Sequence, residues 1–343
     1  MRVVAWELTK RCMLKCKHCR AGAENISYSN ELSSTEAKLI IDSLSKELPL
    51  LLILTGGEPL MRQDIYEISS YASLHGISVV MATCGSFITV DTLTKLKTAG
   101  VQKLSFSIDG YDEASHDEFR GQKGAFSDVI RAAHLSKEHD MLFQINTTLT
   151  KSNCNQIEKI NDLANQLGAD IHDIFILIPT GRADSIRDEL LDCEEYEKIL
   201  RWIANEVLSG RRKIRVTCAP HYSRIFQDIS KELEIVNTFK ARPPSACMGG
   251  RNFFFISNTG QVYPCGFFPV EGGDLRKNSY DFLKTIRESK LFNDLKNKEL
   301  YSGKCSVCSF FNACGGCRAR ALAVNGNYLG EEPFCSYIPG VTK

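Results

Sequence analysis

Three cysteines near the N-terminus have a spacing that suits metal chemistry. Cys12, Cys16 and Cys19 form C-x3-C-x2-C in a loop directly after the first predicted strand. Three thiolates can hold three irons of a [4Fe-4S] cluster and leave the fourth iron open. An open metal position is typical of catalysis, whereas four protein ligands close a site. A structural zinc site is the alternative, but this spacing and the missing fourth ligand fit it poorly, so we expect a catalytic cluster.

A second group of cysteines lies near the C-terminus. Four of them, Cys305, Cys308, Cys314 and Cys335, have the spacing C-x2-C-x5-C-x20-C. Four thiolates can fully ligate one further cluster. Zinc is the alternative, because four-cysteine sites with C-x2-C pairs are common in zinc ribbons.

The other cysteines are less diagnostic. Cys247, Cys265 and Cys317 could hold a second auxiliary cluster whose fourth site is open or not a cysteine, or they could be ordinary buried thiols. The remaining cysteines have no metal-binding spacing, and we expect them to pack in the interior. These are Cys84, Cys154, Cys193 and Cys218.

Composition narrows the class of protein. The 343 residues are 43% hydrophobic and 24% charged, which permits a large core, and the net charge of +1 gives no basic field for nucleic acid. The longest apolar run, near residues 48–54, is far shorter than the ~20 residues of a membrane span. The N-terminus lacks a secretory signal. We therefore expect a cytoplasmic protein, where fourteen cysteines indicate metal binding rather than the disulfides of a secreted protein.

Alternating short apolar runs and amphipathic stretches predict six βα units around a parallel sheet. The predicted strands are 3–8, 50–55, 78–83, 103–108, 142–147 and 174–178. The predicted helices are 34–48, 63–74, 90–99, 126–139, 156–167 and 193–208. Ser33 and Glu36 predict a capping box for the first helix. Six units form an α/β partial (β/α)6 barrel, in which chemistry gathers at the carboxyl ends of the strands.

The repeat is expected to stop near residue 210. Residues 1–210 form the predicted barrel, and residues 211–246, with a break at Arg242-Pro243-Pro244, form a connector. Residues 247–343 form a small cysteine-rich domain, which we expect bound clusters rather than a large core to organise.

The segment from Cys12 to Cys19 resembles the cluster signature of the radical S-adenosylmethionine (SAM) superfamily. The resemblance implies that the open iron binds the amino and carboxylate groups of SAM. Reductive cleavage then gives methionine and a 5′-deoxyadenosyl radical, which removes a hydrogen atom from the substrate. The cofactor carries the difficult chemistry, and the protein positions it.

Other motifs at the strand ends also resemble this superfamily. Gly56-Gly57-Glu58-Pro59 resembles its GGEP motif, whose backbone meets the SAM amino group. Ser107 and Asp109 are similar to its ribose and carboxylate contacts. Arg120 could pair with the SAM carboxylate, with a solvent-facing position as the alternative. The implied SAM-binding residues are Gly56, Gly57, Glu58, Ser107, Asp109, Arg120 and Asn146.

Cys247, Gly260 and Cys265 form C-x12-G-x4-C, which resembles the SPASM extension of the superfamily. This implies one or two auxiliary [4Fe-4S] clusters. The chain departs from the SPASM pattern where two residues, rather than the usual three, separate Cys314 from Cys317. This departure leaves open whether the chain binds a second auxiliary cluster.

Longer stretches resemble the haem b synthases of the sirohaem-dependent pathway, namely residues 5–9, 17–21, 143–148, 174–182 and 217–222. Met13 and Thr83-Cys84-Gly85 depart from that branch, which usually has Asn and Pro-Asn-Gly there. The resemblance implies oxidative decarboxylation of two propionates of iron-coproporphyrin III to vinyl groups, with flavodoxin or ferredoxin as the low-potential electron donor. The candidate groups for the substrate carboxylates are Arg20, Arg182, His221 and Tyr222.

Three alternatives remain. A maturase of ribosomally made peptides shares the chemistry, although we expect no peptide-binding extension before Val3. A haem d1-type enzyme would modify a related tetrapyrrole. A non-catalytic iron–sulfur carrier would need neither the three-cysteine site nor Gly56-Gly57-Glu58.

Overall fold

The structure is a computed structural model, and it describes residues 1–234 and 246–340. The strands are β1 Arg2–Glu7, β2 Leu50–Thr55, β3 Ser78–Ala82, β4 Val101–Ser107, β5 Leu142–Leu149, β6 His172–Ile176, β7 Ile214–Thr217, β8 Phe253–Ile256, β9 Gln261–Tyr263 and β10 Gly273–Asp274. The helices are α1 Ser34–Leu44, α2 Ile65–Leu74, α3 Val90–Thr98, α4 Glu113–Arg120, α5 Ala125–Glu138, α6 Ile157–Leu167, α7 Cys193–Leu208, α8 Tyr222–Glu232, α9 Phe282–Arg287, α10 Lys290–Lys296 and α11 Arg318–Asn325.

The described strands form one sheet in the order β10-β9-β8-β1-β2-β3-β4-β5-β6-β7. Strands β1 to β7 are parallel neighbours, and β8 pairs in parallel with the other side of β1. Strands β9 and β10 continue the row in antiparallel pairing. Because β1 to β8 run in the same direction, their carboxyl ends lie at one edge of the sheet. The loops that carry the motifs leave from this edge.

Local sequence explains the individual elements. In β2, alternate residues are buried, as expected for a strand with different faces. In α1, Ala37, Ile40, Ile41 and Leu44 are buried, which is the spacing of one helical face. Ser33 caps α1 and Glu36 completes the predicted capping box. Helices of this kind cover the sheet and enclose its apolar side chains.

The predicted α/β class is confirmed, and the six predicted strands and helices are present with shifted ends. The structure adds α4, and it adds β7 and α8 where the sequence predicted only a connector. A four-residue strand is too short to produce a clear periodic pattern, which explains its absence from the prediction. The break at residues 242–244 lies outside the described residues. The domain boundaries at 210 and 247 remain a proposal.

Within the described ranges, no helix is both long and apolar enough to cross a membrane.

An aromatic group joins the C-terminal region to the sheet. The ring of Phe254, on β8, meets the rings of Phe282 and Phe292 edge-on, with centroid separations of 5.4 and 5.2 Å. All three side chains are fully buried. Since β8 pairs with β1, this group packs helices α9 and α10 onto the strand that leads to Cys12.

Replacing Phe254 with alanine should therefore destabilise the whole sheet. We expect Phe254→Ala to lower the free energy of unfolding of the metal-free protein by about 3–5 kcal/mol, because it leaves a cavity beside the rings of Phe282 and Phe292. Urea denaturation measures this change. Leu142→Ala, on β5 with a side chain 57% exposed, is the control and should change stability by less than about 1 kcal/mol. Equal effects of the two substitutions would contradict the proposed role of Phe254.

Candidate active site

The cysteine loop, residues 9–24, follows β1 and is bound by backbone hydrogen bonds to two other elements. The N–H of Gly57 donates to Thr9 O at 2.6 Å, and that of Glu58 donates to Arg11 O at 2.8 Å. At the end of α4, Lys15 N–H donates to Arg120 O at 3.2 Å, and Lys17 N–H donates to Phe119 O at 3.0 Å. The loop is therefore held between the end of β2 and the end of α4.

Glycines make these close approaches possible. A Cβ atom on Gly57 would lie 2.3 Å from Arg11 O, and one on Gly56 would lie 2.4 Å from Thr9 O. Gly121, with a left-handed φ of 64°, would bring a Cβ to 2.6 Å from Lys15 O. Backbone atoms cannot move aside as a flexible side chain does, so only glycine fits these positions. The Gly-Gly pair therefore positions the loop.

Cys12, Cys16 and Cys19 lie together in a small apolar group that includes Leu14 and Ala23. Burial raises the pKa of Cys12 to about 12, and Glu58 and the other two cysteines add to the rise. Burial also raises the pKa of Cys16, although Arg120 opposes it. Thiolates are thus unfavourable here without a compensating cation. Bound iron would supply that positive charge, and its binding would displace the thiol protons.

Arg120 and Asp109 form a buried ion pair beside the cluster loop. The Nη1 of Arg120 also approaches Cys16 Sγ at 3.7 Å. Burial alone would lower the pKa of Arg120, but the charges of Asp109 and Cys16 outweigh it and raise that pKa. Arg120 Nε is buried without a hydrogen-bond partner among the described residues. An unpartnered donor next to the cysteines fits a ligand that carries a carboxylate.

Ser107 and Asn146 are register partners on β4 and β5, so their side chains lie on the same face of the sheet. The Oδ1 of Asn146 accepts from Gln144 Nε2 at 2.8 Å. Asp109 follows β4, and its Oδ1 accepts from the N–H of Thr148 at 2.7 Å. These three predicted SAM-binding residues therefore lie on neighbouring strands, Ser107 and Asp109 at the end of β4 and Asn146 opposite Ser107 within β5.

The side chain of Glu58 makes its hydrogen bonds within the protein. Its carboxylate is fully buried and accepts from Thr83 Oγ1 at 2.8 Å, Cys84 N–H at 2.7 Å and Leu60 N–H at 3.1 Å. Burial raises the pKa of Glu58, and these hydrogen bonds oppose the rise. The carboxyl group therefore joins the ends of β2 and β3, which makes Glu58 a positioning residue.

The predicted substrate arginines are also engaged with the protein. Arg182 Nε donates to Cys16 O at 3.0 Å and Nη1 to Ala23 O at 2.8 Å, while Nη2 is buried without a described partner. Arg20 Nη1 donates to Glu7 Oε2 at 2.9 Å, and its guanidinium lies 4.1 Å from the ring centroid of Phe255. Arg182 thus binds the cluster loop itself, a role that a spacing pattern does not reveal.

His221 and Tyr222 lie at the start of α8, and their side chains are buried. Burial lowers the pKa of His221 to about 4, and its nearest charged groups include Glu332 and Arg320 of the C-terminal region. The ring nitrogens of His221 and the hydroxyl of Tyr222 have no hydrogen-bond partner among the described residues. His221 therefore lies near charged residues of the C-terminal region.

The four predicted auxiliary ligands lie on two segments of the C-terminal region. Burial raises the pKa of Cys314, and the charges of Cys335 and Cys305 contribute to the rise. Cys308 is in the same turn as Cys305, whose carbonyl accepts its N–H at 3.4 Å. Cys314 therefore lies near Cys305 and Cys335, and Cys308 belongs to the turn that Cys305 begins, while their role as ligands stays a prediction.

The other C-terminal cysteines form a second group. Burial raises the pKa of Cys265, and the neighbouring Cys317 and Cys247 add to this. Burial also raises the pKa of Cys317 to about 12. The sequence assigned Cys218 to simple packing, yet the structure places it beside these three, where Cys317 and Cys265 contribute to its raised pKa after burial. Its position at the end of a strand was the available signal, but β7 was not predicted.

This arrangement defines a class of protein: a parallel sheet with an incomplete cysteine ligand set at its carboxyl edge, followed by cysteine-rich auxiliary sites. The model of the radical SAM superfamily matches residues 6–164, and that of the SPASM iron–sulfur cluster-binding domain matches residues 247–315. Proteins with these domains bind SAM and a [4Fe-4S] cluster at the first and auxiliary clusters at the second.

Two curated relatives match almost the whole chain. An AdoMet-dependent heme synthase of Methanosarcina barkeri is 41% identical over 343 residues, which cover 99% of this chain and 97% of that protein. An AdoMet-dependent heme synthase of Nitratidesulfovibrio vulgaris is 41% identical, covering 98% and 93%. The chain belongs to the radical SAM superfamily and, within it, to the family of these relatives.

Solved structures show the same fold. Streptococcus suis SuiB bound to its precursor peptide SuiA superimposes with a TM-score of 0.75 at 17% identity, covering 98% of this chain and 76% of that one. The structure of anSMEcpe with bound AdoMet gives 0.70 at 19% identity, covering 97% and 94%. The enzyme is thus a radical SAM enzyme, and the buried thiols and unpartnered donor of its site fit a cluster and SAM.

Adding one methyl group at Gly57 should separate the loop from β2. We expect Gly57→Ala to reduce both iron bound at the N-terminal site and SAM binding at least tenfold, since the new Cβ would overlap the carbonyls of Arg11 and Lys10. Iron analysis and SAM-binding calorimetry measure these effects. Gly22→Ala is the control for backbone strain without overlap, because Gly22 lies in the same loop with a left-handed φ of 59° but an added Cβ meets open space. Unchanged SAM affinity in Gly57→Ala would refute the positioning role.

Proposed function

We propose that this enzyme makes haem b by oxidative decarboxylation of two propionate groups of iron-coproporphyrin III. The observation that carries the proposal is the 41% identity to AdoMet-dependent heme synthases over nearly the full length of both proteins. A more distant relative, the Fe-coproporphyrin III synthase of Methanosarcina barkeri, is 29% identical over 97% of this chain. A tetrapyrrole substrate is consistent with both comparisons.

In this proposal Cys12, Cys16 and Cys19 hold the catalytic cluster, with SAM on the open iron. When bound, these groups supply one-electron cleavage of SAM and removal of a hydrogen atom from the substrate. A low-potential flavodoxin or ferredoxin supplies the electron. The buried thiols and the loop contacts described above keep the site fixed and dry.

The proposed SAM contacts follow from the donors and acceptors at the strand ends. The N–H groups of Gly57 and Glu58 bind the cysteine loop. The SAM ammonium group donates hydrogen bonds, so it would meet the carbonyl oxygens of residues 56–58. Arg120 Nε faces the SAM carboxylate, and Asp109 holds the guanidinium in place. Ser107 and Asn146 are proposed to contact the nucleoside part from their shared face.

The substrate carboxylates require cationic or hydrogen-bonding partners. Arg20 is the first proposed partner, because its side chain remains 18% exposed while it pairs with Glu7. Arg182 offers only its unpartnered Nη2, since its other nitrogens bind the loop. His221 and Tyr222 offer buried polar atoms without described partners.

The reaction also requires an electron acceptor. Removal of a β-hydrogen atom from a propionate leaves a carbon radical, and loss of carbon dioxide from that radical forms the vinyl group and releases one electron. The cluster proposed at Cys305, Cys308, Cys314 and Cys335 is the acceptor in this scheme, and an external carrier oxidises it again. We also propose a reducing cytoplasmic location, which suits fourteen cysteines that are all free thiols in the structure.

Mass analysis of the porphyrin tests the proposed function directly. Reconstituted enzyme is incubated without oxygen with SAM, a reductant and iron-coproporphyrin III. We expect two successive steps, each with the loss of one carbon dioxide and two hydrogen atoms, one from the propionate β-carbon and one from its acid group. One 5′-deoxyadenosine should form for each carbon dioxide lost. SAM cleavage without any change in the porphyrin, under conditions in which the iron content is complete, would exclude this substrate.

The role of the auxiliary cluster is tested with Cys308→Ala. We expect SAM cleavage to persist while vinyl formation falls at least a hundredfold, because the substrate radical loses its electron acceptor. The product ratio of 5′-deoxyadenosine to haem b measures the separation of the two steps. Cys154→Ala, which changes a cysteine whose Sγ donates only to Lys151 O, is the control. Unimpaired haem b formation in Cys308→Ala would contradict the assignment of this cluster as the electron acceptor.

A further inference from the structure

We propose that Arg215, on the edge strand β7, binds a carboxylate of the substrate. Together with Arg20, on the other side of the sheet, it defines a site for a flat aromatic molecule that carries several carboxylate groups. This inference rests on the proposed function and deepens it, because it names a further group that holds the substrate and the face of the sheet on which the substrate lies.

The two faces of the sheet have different surroundings. Phe106 on β4 and Ile145 on β5 belong to the apolar core that also contains Ala132 of helix α5. Ser107 and Asn146 alternate with these residues and therefore lie on the opposite face, the inner face of the sheet. The residues proposed to contact the nucleoside part of SAM are thus on the inner face.

A row of polar residues crosses the inner face and ends at Arg215. Ser107 on β4 is the register partner of Asn146 on β5. Asn146 is in turn the partner of Asp173 on β6, and Asp173 is the partner of Arg215 on β7. Register partners share one face of a sheet, so Arg215 lies on the same face as the proposed SAM contacts.

The side chain of Arg215 is held in place but remains accessible. Its Nε donates to Asp173 Oδ2 at 2.9 Å, and its Nη2 donates to Gln144 Oε1 at 3.3 Å, so it extends from the sheet edge across β6 to β5. The side chain of Asp173 is 2% exposed, whereas that of Arg215 is 52% exposed. An ion pair at this exposure adds little to stability. A guanidinium that a buried carboxylate orients is, however, well suited to bind a second carboxylate.

Arg20 has a similar arrangement on the other side of the sheet. It pairs with Glu7, whose side chain is 3% exposed, and its guanidinium lies over the ring of Phe255 on β8. Phe255 is on the inner face, because it alternates with Phe254, whose ring packs against helices α9 and α10. Gly266 leaves room for Arg20, since an added Cβ would lie 3.0 Å from its Nε. Two arginines, each paired with a buried carboxylate, therefore lie on different sides of the inner face.

Contacts between aromatic residues show that the sheet curls around its inner face. The ring centroid of Phe175 on β6 lies 6.4 Å from that of Phe267, which follows β9. Thr180 Oγ1 also donates to Phe267 O at 3.0 Å. The rings of Phe255 and Tyr263, on β8 and β9, lie 6.2 Å apart. The carboxyl end of β6 therefore meets the segment after β9, which makes the inner face concave and adds aromatic rings to it.

These features together fit one class of ligand. Aromatic side chains pack well against a planar conjugated macrocycle. Guanidinium groups at two separate positions can pair with carboxylates at two points of its rim. Iron-coproporphyrin III has this chemistry, because its propionates are distributed around a flat ring. A substrate without acidic groups would gain nothing from either arginine.

Direct binding of iron-coproporphyrin III tests the role of Arg215. The dissociation constant is measured from the change in porphyrin absorption on titration with the reconstituted enzyme, and SAM binding is measured separately by calorimetry. Arg215→Ala removes the cation, Arg215→Gln removes the charge but keeps a donor for Asp173, and Arg215→Lys keeps the charge. Arg211→Ala is the matched control, because the side chain of Arg211 is 59% exposed and pairs with Glu206 shortly before β7.

We expect Arg215→Ala and Arg215→Gln to weaken porphyrin binding at least about tenfold, because a charge-assisted pair with a carboxylate is lost. Arg215→Lys should recover part of the affinity, and Arg211→Ala should match the unmodified enzyme. Iron content and SAM affinity should be unchanged in all variants, which a general loss of structure would not allow.

Two results would overturn the proposal and leave the proposed haem chemistry intact. These are unchanged porphyrin affinity in Arg215→Ala and Arg215→Gln, and an equal loss of SAM and porphyrin affinity in Arg215→Gln. Failure of the unmodified enzyme to bind iron-coproporphyrin III would instead disprove the proposed function, and this inference with it. Should Arg215→Ala misfold, the affinity of Arg215→Gln alone decides.

Discussion

The structure depends on the hydrogen bonding of one loop. Residues 9–24 carry three cysteines, of which Cys12 and Cys16 are buried, and their backbone is bound to the ends of β2 and α4 and to the guanidinium of Arg182. A buried loop whose polar groups lacked such partners would be costly, and its thiols would have no fixed geometry. Glycines at 56, 57 and 121 allow the contacts, and the parallel sheet supplies the elements that make them. The chemistry of the enzyme is thus set by backbone contacts.

Sequence reasoning succeeded where the signal was local. The spacing of Cys12, Cys16 and Cys19 lies within one loop, and the βα pattern repeats over windows long enough to be recognised. The capping box of α1 is likewise contained in four residues, Ser33 to Glu36, and the structure confirms it. In each of these cases the residues that interact are neighbours in the chain.

Long-range contacts explain what was missed. Glu58 and Arg182 have the expected types for ligand binding, but their partners at Cys84 and Cys16 become visible only once the strands are placed side by side. Strand β7 has four residues, too few for a pattern, and so the position of Cys218 at the edge of the sheet was not foreseen. Some charged residues at strand ends therefore contact ligands, and others hold neighbouring parts of the protein together. Residue type alone does not distinguish the two.

The buried pair of Arg320 and Glu332 shows how the two auxiliary regions are connected. Glu332 accepts from Arg320 Nη1 at 3.0 Å, and both side chains are almost fully buried. The pair touches the backbone of Cys218 and Cys317 on one side, while the N–H of Glu332 reaches Cys305 Sγ on the other. Hydrogen bonds to the sulfur atoms of a cluster change its reduction potential. The Arg320–Glu332 pair contacts both cysteine groups, so its position suits an influence on the reduction potential of a cluster at either one.

The pairing of β8 with β1 has a mechanical consequence. Because the C-terminal region adds its strand beside the one that leads into the cysteine loop, the two halves of the chain share a continuous ladder of hydrogen bonds. The strand of the C-terminal region is therefore held directly against the strand that precedes the cysteine loop. A fragment ending before residue 247 would also leave one side of β1 without its neighbour, and an unpaired edge of that kind invites aggregation.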